Sequence, residues 1–441
     1  MLPVDLAARV RGTEFHEWIA RAFERHGAEP PPGPLRVDYV RFKPGTSCLL
    51  GFGHGGTDTG SGLGYLKVFL SGDPEECFRK YRAREKHDGW VALLPELRAV
   101  FFRFPLDRHV IGLPSLAEPS RLKHVLHDAV PDLSPEIERV RARKSRVEVL
   151  KYKPERRCIV RADLGTKRAD TGEKAQRRIV AQAYGDETGP RVFQLMKHLD
   201  DLTAGRGGTL RVPRPLGWHP ERRVLVQEWR PGEPWGLCLG RPEEAVGCVE
   251  AADALRSLHE LELPAGLPVD APGRTTTEAV RVLEDLTRVG DDDLARLADG
   301  VRRQVLRESA ESPDGTPTIV HGDFHYHQLL VGRDGPTLID WDEARGGDPR
   351  VDVGNLLAHL HLLDLEQRIS SERAASLGNL FLGTYLAGRP VPPAVDFFTS
   401  LQLVKLALTP FRNLRRDWRG EARAILERAR RLLRTGREVG A

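Results

Sequence analysis

The chain has 441 residues, of which 40% are hydrophobic and 29% charged, and its formal net charge is +4. This describes an ordinary soluble protein of two or three domains that can bury a full core, and the mild basicity is too small to argue for nucleic acid. No apolar run approaches the ~18 residues that span a bilayer. The opening MLPVDLAARVRGTEF lacks the apolar core of a signal peptide, and the five scattered cysteines (Cys48, Cys77, Cys158, Cys238, Cys248) form no CxxC pair. A reduced, cytoplasmic compartment is the expectation.

Leu6 to His26 carries Phe15, Trp18, Ile19, Ala22 and Phe23 at helical spacing, and EPPPGP ends that amphipathic helix. An apolar segment from Val37 to Gly53 follows, then a Gly/Ser/Thr loop, GHGGTDTGSG. Gly64 to Leu70 reads as a strand and Asp73 to His87 as a helix with an acidic first turn; Leu97 to Phe104 and His109 to Leu116 are further apolar segments.

Val147 to Leu164 (VEVLKYKPERRCIVRADL) then repeats the earlier segment. Lys153-Pro154 matches Lys43-Pro44, and Cys158 matches Cys48. The order also repeats: RIVAQAYGD matches GYLKVFLSGD, a helix follows (Arg191 to Leu199), then RVPRPLGW and RRVLVQEW. Such self-similarity predicts a duplicated sheet-plus-helix unit, about 36–130 and about 146–235. Amphipathic helices are predicted over Glu243 to Leu261, Arg274 to Gly290 and Asp292 to Ser309.

The densest chemistry lies in Thr318 to Gly354, TIVHGDFHYHQLLVGRDGPTLIDWDEARGGDPRVDVG. Two short apolar runs flank the turn Gly332 to Gly335, and an Asp-Gly turn between apolar runs predicts a hairpin. The hairpin sets Asp323 and Gln328 on one loop and returns Asp340 beside them. Such oxygen donors suit Mg²⁺, and an Asp near the metal can accept a proton from an attacking hydroxyl, as phosphoryl transfer requires. A zinc site from His321, His325 and His327 is the rival, although no Cys or further close His pair completes a ligand spacing.

HGDFHYHQ resembles the HGDxHxxN catalytic loop of the aminoglycoside phosphotransferase and choline kinase-like superfamily, and LIDWDEARGGDPRVDVGNLLAHL resembles its metal segment and following helix. The resemblance implies an α+β, protein-kinase-like bilobal fold with a duplicated N-lobe-like unit. Residues 1–140 would form a second N-lobe or cap, 141–235 the nucleotide-binding N-lobe and 236–441 a helical C-lobe. It implies ATP and Mg²⁺ as cofactors and a small-molecule hydroxyl acceptor, with no nucleic acid or membrane partner. Asp323 would be the catalytic base, His321 the loop anchor, Gln328 and Asp340 the metal ligands, and Asp352 the support behind the loop. The backbone of Gln227, Glu228 and Trp229 would meet adenine. Asp342, Glu343 and His325 would meet the acceptor, with Asp348, Asp364 and Glu366 as further acidic candidates.

Three departures qualify this. Gln328 replaces the usual Asn, although some branches of the family carry Gln. Gln182 stands where the family has a phosphate-binding Lys, whereas the first repeat has Lys67 at the matching place. No clear Glu lies in Arg191 to Leu199 to pair such a Lys; Glu187 is the nearest. Arg156 and Arg157, in the tight turn of the second repeat, are the candidates to replace the missing charge, since guanidinium binds phosphate in bidentate fashion. A pseudokinase and a peptide Ser/Thr kinase are the alternatives. The Arg-rich C-terminal segment predicts a solvated face.

Overall fold

Leu49, Tyr65, Val100 and Phe102 point to one side of a sheet, whereas Cys48, Leu50, Phe52, Leu66 and Phe101 point to the other. This period of two builds the first sheet from β1 (Leu35–Lys43), β2 (Ser47–His54), β3 (Gly64–Phe69), β4 (Val91–Leu94) and β5 (Ala99–Arg103). The computed structural model describes residues 13–25, 29–30, 35–43, 45–54, 64–83, 90–203, 209–311, 315–390 and 394–435. Helix α1 (Thr13–Glu24) lays Phe15, Ile19 and Phe23 on the Phe52 face. Residues 6–12 of that predicted helix and most of the Gly/Ser/Thr loop (55–63) lie outside the described residues. Helix α2 (Pro74–Arg82) starts at Asp73, whose carboxylate accepts from the Glu75 N–H, and residues 84–87 of the predicted helix lie outside the described residues.

The second sheet comprises β6 (Glu138–Val140), β7 (Arg146–Lys153), β8 (Arg157–Arg168), β9 (Lys174–Tyr184), β10 (Pro215–His219) and β11 (Val224–Glu228). Its path β7-β8-β9-β11-β10 repeats the order β1-β2-β3-β5-β4 of the first sheet. Helix α3 (Thr188–Thr203) follows the third strand of this repeat, as α2 does in the first. The registers coincide as well. Lys67 lies opposite Leu49 and Val100, and Gln182 lies opposite Ile159 and Leu225, the equivalent positions. The duplication is therefore real in topology and residue by residue in pairing.

Two compact units result. The first holds both sheets: the chain to Phe193, Pro215–Trp229 and Arg412–Leu414. The second holds Gln194–Arg214, Arg230–Phe411 and the chain from Arg415. It is mostly helical: α4 (Glu243–His259), α5 (Arg274–Val289), α6 (Asp292–Glu311), α7 (Arg350–Leu365), α8 (Ser371–Leu386), α9 (Val395–Leu406) and α10 (Trp418–Thr435). Helix α9, buried along most of its length, packs against α7 and α10.

The Arg-rich end is more than a solvated face. Ile425, Leu426, Ala429 and Leu433 of α10 are buried, and the Ser400 hydroxyl donates to the Ala429 carbonyl (3.0 Å). Its polar side pairs with acids: Arg428 with Asp364 at 2.9 Å, and Arg423 with Asp291 at 3.7 Å. Among the described residues no helix is long and apolar enough to cross a membrane.

Candidate active site

The predicted hairpin is β12 (Leu329–Val331) and β13 (Thr337–Leu338), with Leu329 opposite Leu338. The Gly335 N–H donates to the Gly332 carbonyl (3.0 Å), closing the turn. One step beyond the ladder, the Ile339 N–H donates to the Gln328 carbonyl (2.9 Å). The other end of Ile339 is fixed too, because its carbonyl accepts from Nε2 of His321 (2.9 Å). Ile339 is thus clamped on both sides, and Asp340 follows it at φ 66°, ψ 66°. A non-glycine residue in this left-handed region is held there by its surroundings, and such positions cluster at functional sites. The adjoining Trp341 is buried, donates its indole N–H to the Leu338 carbonyl (3.1 Å) and packs against His321 with its ring tilted by 46°.

His321 is itself buried and positioned from behind. Asp352, fully buried in the first turn of α7, accepts from the backbone N–H of His321 (2.6 Å) and of Gly322 (2.8 Å). Nε2 of His259, at the end of α4, completes its shell at 3.1 Å, and Nδ1 of His259 meets the Tyr385 hydroxyl at 2.7 Å. Burial alone opposes charge on Asp352, but the hydrogen bond from His259, the nearby His259 and His321 rings and the His321 N–H hold its carboxyl below the usual carboxylate range. Asn355, one turn on, donates to the Phe324 carbonyl (2.9 Å). Asp323 stands between these anchors, half-buried, with no hydrogen bond to its carboxylate from any described group.

Gln328 is buried, and its amide nitrogen lies 3.3 Å from Nε2 of His325. Nδ1 of His325 accepts from the His327 N–H (3.2 Å). The amide oxygen is the atom by which Gln328 could meet a cation. His325 stacks on the half-buried His359 at 4.3 Å, and desolvation, with His325 and His327 nearby, pushes the His359 imidazole down to about 3. His359 is therefore neutral. Among the described residues no group of three or more His, Cys, Asp or Glu side chains is arranged to hold a metal ion. With His321 turned to the Ile339 carbonyl, the three-histidine zinc alternative is set aside.

The acidic candidates separate. Asp342 is half-buried and Glu343 exposed, next to Asp340. Arg345 beside them is held by Asp270 (2.7 Å) and donates to the Glu343 backbone carbonyl (2.7 Å). Asp348 pairs with Arg350, Asp364 with Arg428 and Glu366 with Arg415. In the first unit, Gln182 is buried on β9, Gln227 pairs with Val180 and Glu228 with Ile179, and Trp229 lies under the guanidinium groups of Arg161 and Arg178. Glu187 forms an ion pair with Arg223 on the same unit. In the turn between β7 and β8, Arg156 is exposed and Arg157 buried.

A profile of the phosphotransferase enzyme family (APH) matches residues 167–398, more than half of the chain. The chain belongs to this family. It is a phosphotransferase built on the protein-kinase-like α+β fold. Similar solved structures include a thermostable mutant of the aminoglycoside phosphotransferase APH(4)-Ia, apo form (16% identity, 68% of this chain and 96% of that one, TM-score 0.48). A choline kinase from Cryptosporidium parvum Iowa II is similar at 12% identity, covering 73% and 97%, with TM-score 0.48. Spectinomycin phosphotransferase APH(9)-Ia, in complex with ADP and spectinomycin, is similar at 10% identity, covering 71% and 98%, with TM-score 0.46. A search of curated proteins gave no match.

In this phosphotransferase the loop from His321 to Gln328 depends on residues that sequence reading passed over. His259 lies in the LHELELP segment as one polar position of an amphipathic helix, and only the packing of α4 brings it to Asp352. Gly322 is a second case, at φ +81°. A Cβ there would lie 2.1 Å from Nη1 of the buried Arg345 and 2.3 Å from the Glu343 carbonyl. Gly322→Ala is expected to cost about 1–3 kcal/mol and to lower activity, read by thermal melting and turnover together.

Proposed function

We propose that this phosphotransferase moves the γ-phosphoryl group of ATP, with Mg²⁺, to a hydroxyl of a small molecule of aminoglycoside, sugar or amino-alcohol type, in the cytoplasm. The observation that carries the reading is the double clamp on Ile339, which sets Asp340 next to the Gln328 strand, while among the described residues no group hydrogen-bonds the Asp323 carboxylate. The donor set fits the metal: a carboxylate and an amide oxygen are hard ligands, and Mg²⁺ takes its remaining ligands from phosphate and water. Bound there, the ion would neutralise charge on the phosphates.

The chain's own residues do the rest. Asp323 accepts the proton of the attacking hydroxyl, and His321 and Asp352 keep the loop in place. From the first unit we assign the backbone of Gln227 to Trp229 to adenine, and Gln182, Arg156 and Arg157 to the phosphates. Asp342, Glu343 and His325 are assigned to the acceptor.

Gln182 favours a second reading, a pseudokinase that binds nucleotide without transferring phosphate, because a cation is missing where the family has one. Transfer of label from γ-labelled ATP to a panel of aminoglycosides, sugars and amino alcohols separates the two. Label in any hydroxyl product, absent with Asp323→Asn, supports the enzyme; nucleotide binding with no product across the panel supports the pseudokinase.

A further inference from the structure

The turn that joins β7 and β8, residues 153–157, buries its one acidic residue. Glu155, at φ 58°, has a side chain only 2% exposed. Its carboxylate accepts from Nη2 of Arg41 (2.7 Å), Nζ of Lys67 (3.0 Å) and Nη1 of Arg108 (3.1 Å), all from the first repeat or the segment just after it. The backbone is fixed as firmly. The Glu155 N–H and the Tyr152 hydroxyl donate to one oxygen of Asp107 (2.9 and 2.7 Å), whose other oxygen accepts from the N–H groups of His109 and Val110. Pro154 lies where a side chain on Gly51 would stand, 3.2 Å from the would-be Cβ. Gly185 closes the far side, donating its N–H to the Arg156 carbonyl (2.6 Å).

Lys67 occupies in the first repeat the register that Gln182 occupies in the second. It is the cation the second repeat lacks, and it is engaged by an acid of the second repeat's turn. That turn is therefore the opposite of a mobile Gly-rich cover: it contains Pro and no Gly, and charges on both repeats hold it. From this geometry we infer that the first repeat is a brace for the nucleotide-facing turn, with Glu155 as the positioning residue that presents Arg156 and Arg157 to the phosphates. The inference rests on the nucleotide reading given above. On this view the duplicated unit makes the turn rigid, so that guanidinium groups on it stand in for the missing lysine. A pre-set cation loses less freedom when phosphate arrives than one on a flexible loop.

The test compares two probes, Mg·ATP and adenosine, on the full-length protein by calorimetry. Glu155→Gln removes the charge and keeps the shape. Arg41→Gln removes only the most exposed of the three cations and leaves Lys67 and Arg108 on Glu155. The inference expects Kd for Mg·ATP to rise about tenfold or more in Glu155→Gln and about threefold in Arg41→Gln. Adenosine affinity should stay within about twofold, and Glu155→Asp should recover most of the ATP affinity. Equal losses for ATP and adenosine, or unchanged ATP affinity in a folded Glu155→Gln, overturn it. If Glu155→Gln does not fold, Arg41→Gln decides: a loss confined to ATP supports the brace, and unchanged ATP affinity overturns it. A wild-type protein that binds no ATP overturns the nucleotide reading itself, and this inference with it, whereas the other negative results overturn the brace alone.

Discussion

Asp323→Asn is expected to lower kcat about 10²- to 10⁴-fold, the range that general-base assistance supplies, with stability and Mg·ATP affinity near those of wild type. The physical reason lies in what surrounds the side chain. Asp323 is half-buried, and no described donor hydrogen-bonds its carboxylate. Removing its charge therefore leaves no orphaned partner, and a surface change of this kind usually stays within about 0.5 kcal/mol. The loop does not rely on Asp323 for its shape, because the shape comes from Asp352, His321 and Asn355. Steady-state turnover, equilibrium nucleotide binding and a melting curve on the same preparation check the prediction. A drop in kcat accompanied by an equal loss of stability would show that Asp323 is structural.

Asp352→Ala is expected to act in the opposite way, costing roughly 3 kcal/mol of stability or more, since each buried donor left without an acceptor costs about 1–3 kcal/mol, and abolishing turnover through the loop. The substitution removes the acceptor of the His321 and Gly322 N–H groups and of His259 Nε2 in one step. Buried donors without acceptors then carry the desolvation penalty. His321 loosens, and the Ile339 carbonyl next to Asp340 loses its donor, one of the two clamps on Ile339. The effect has a pH signature. The Asp352 carboxyl is held below its ordinary range in the folded protein, so its contribution is complete above the unfolded value of about 4. It is lost as pH falls through the lower, folded value. The stability gap between wild type and Asp352→Ala should therefore be widest near neutrality and narrow below about pH 4. Urea melts of both proteins at several pH values measure it; a gap that widens on acidification would contradict this assignment of charge.

The contrast between these residues shows what was legible in the sequence. Local rules carried the hairpin: an Asp-Gly turn between apolar runs sets the register, and the register returns Asp340 to Gln328. The duplication was legible because Lys-Pro and Cys recur at equal spacing, and pairing follows from spacing; Lys67 and Gln182 fall at equivalent ladder positions for that reason. The long-range contacts were not legible. A Glu between Pro154 and Arg156 reads as a solvated turn charge, and only three cations from a distant part of the chain bury it. His259 reads as a polar position on a helix until Asp352, 93 residues away, meets it. Likewise, the arginines of α10 read as one solvated face. Their pairing with Asp291 and Asp364 depends on how α10 packs beside α6 and α7, which no local pattern encodes.

The central claim is that Asp340 and Gln328 form the metal side of a nucleotide site. Thermal denaturation of wild type and Asp340→Ala, each with ATP in the presence and absence of Mg²⁺, tests it most directly. A ligand that binds only the folded protein raises Tm in proportion to its affinity and concentration. A rise in the wild type that requires Mg²⁺ and disappears in Asp340→Ala is the predicted result. No shift with nucleotide in the wild type, or an equal shift in Asp340→Ala, would contradict it.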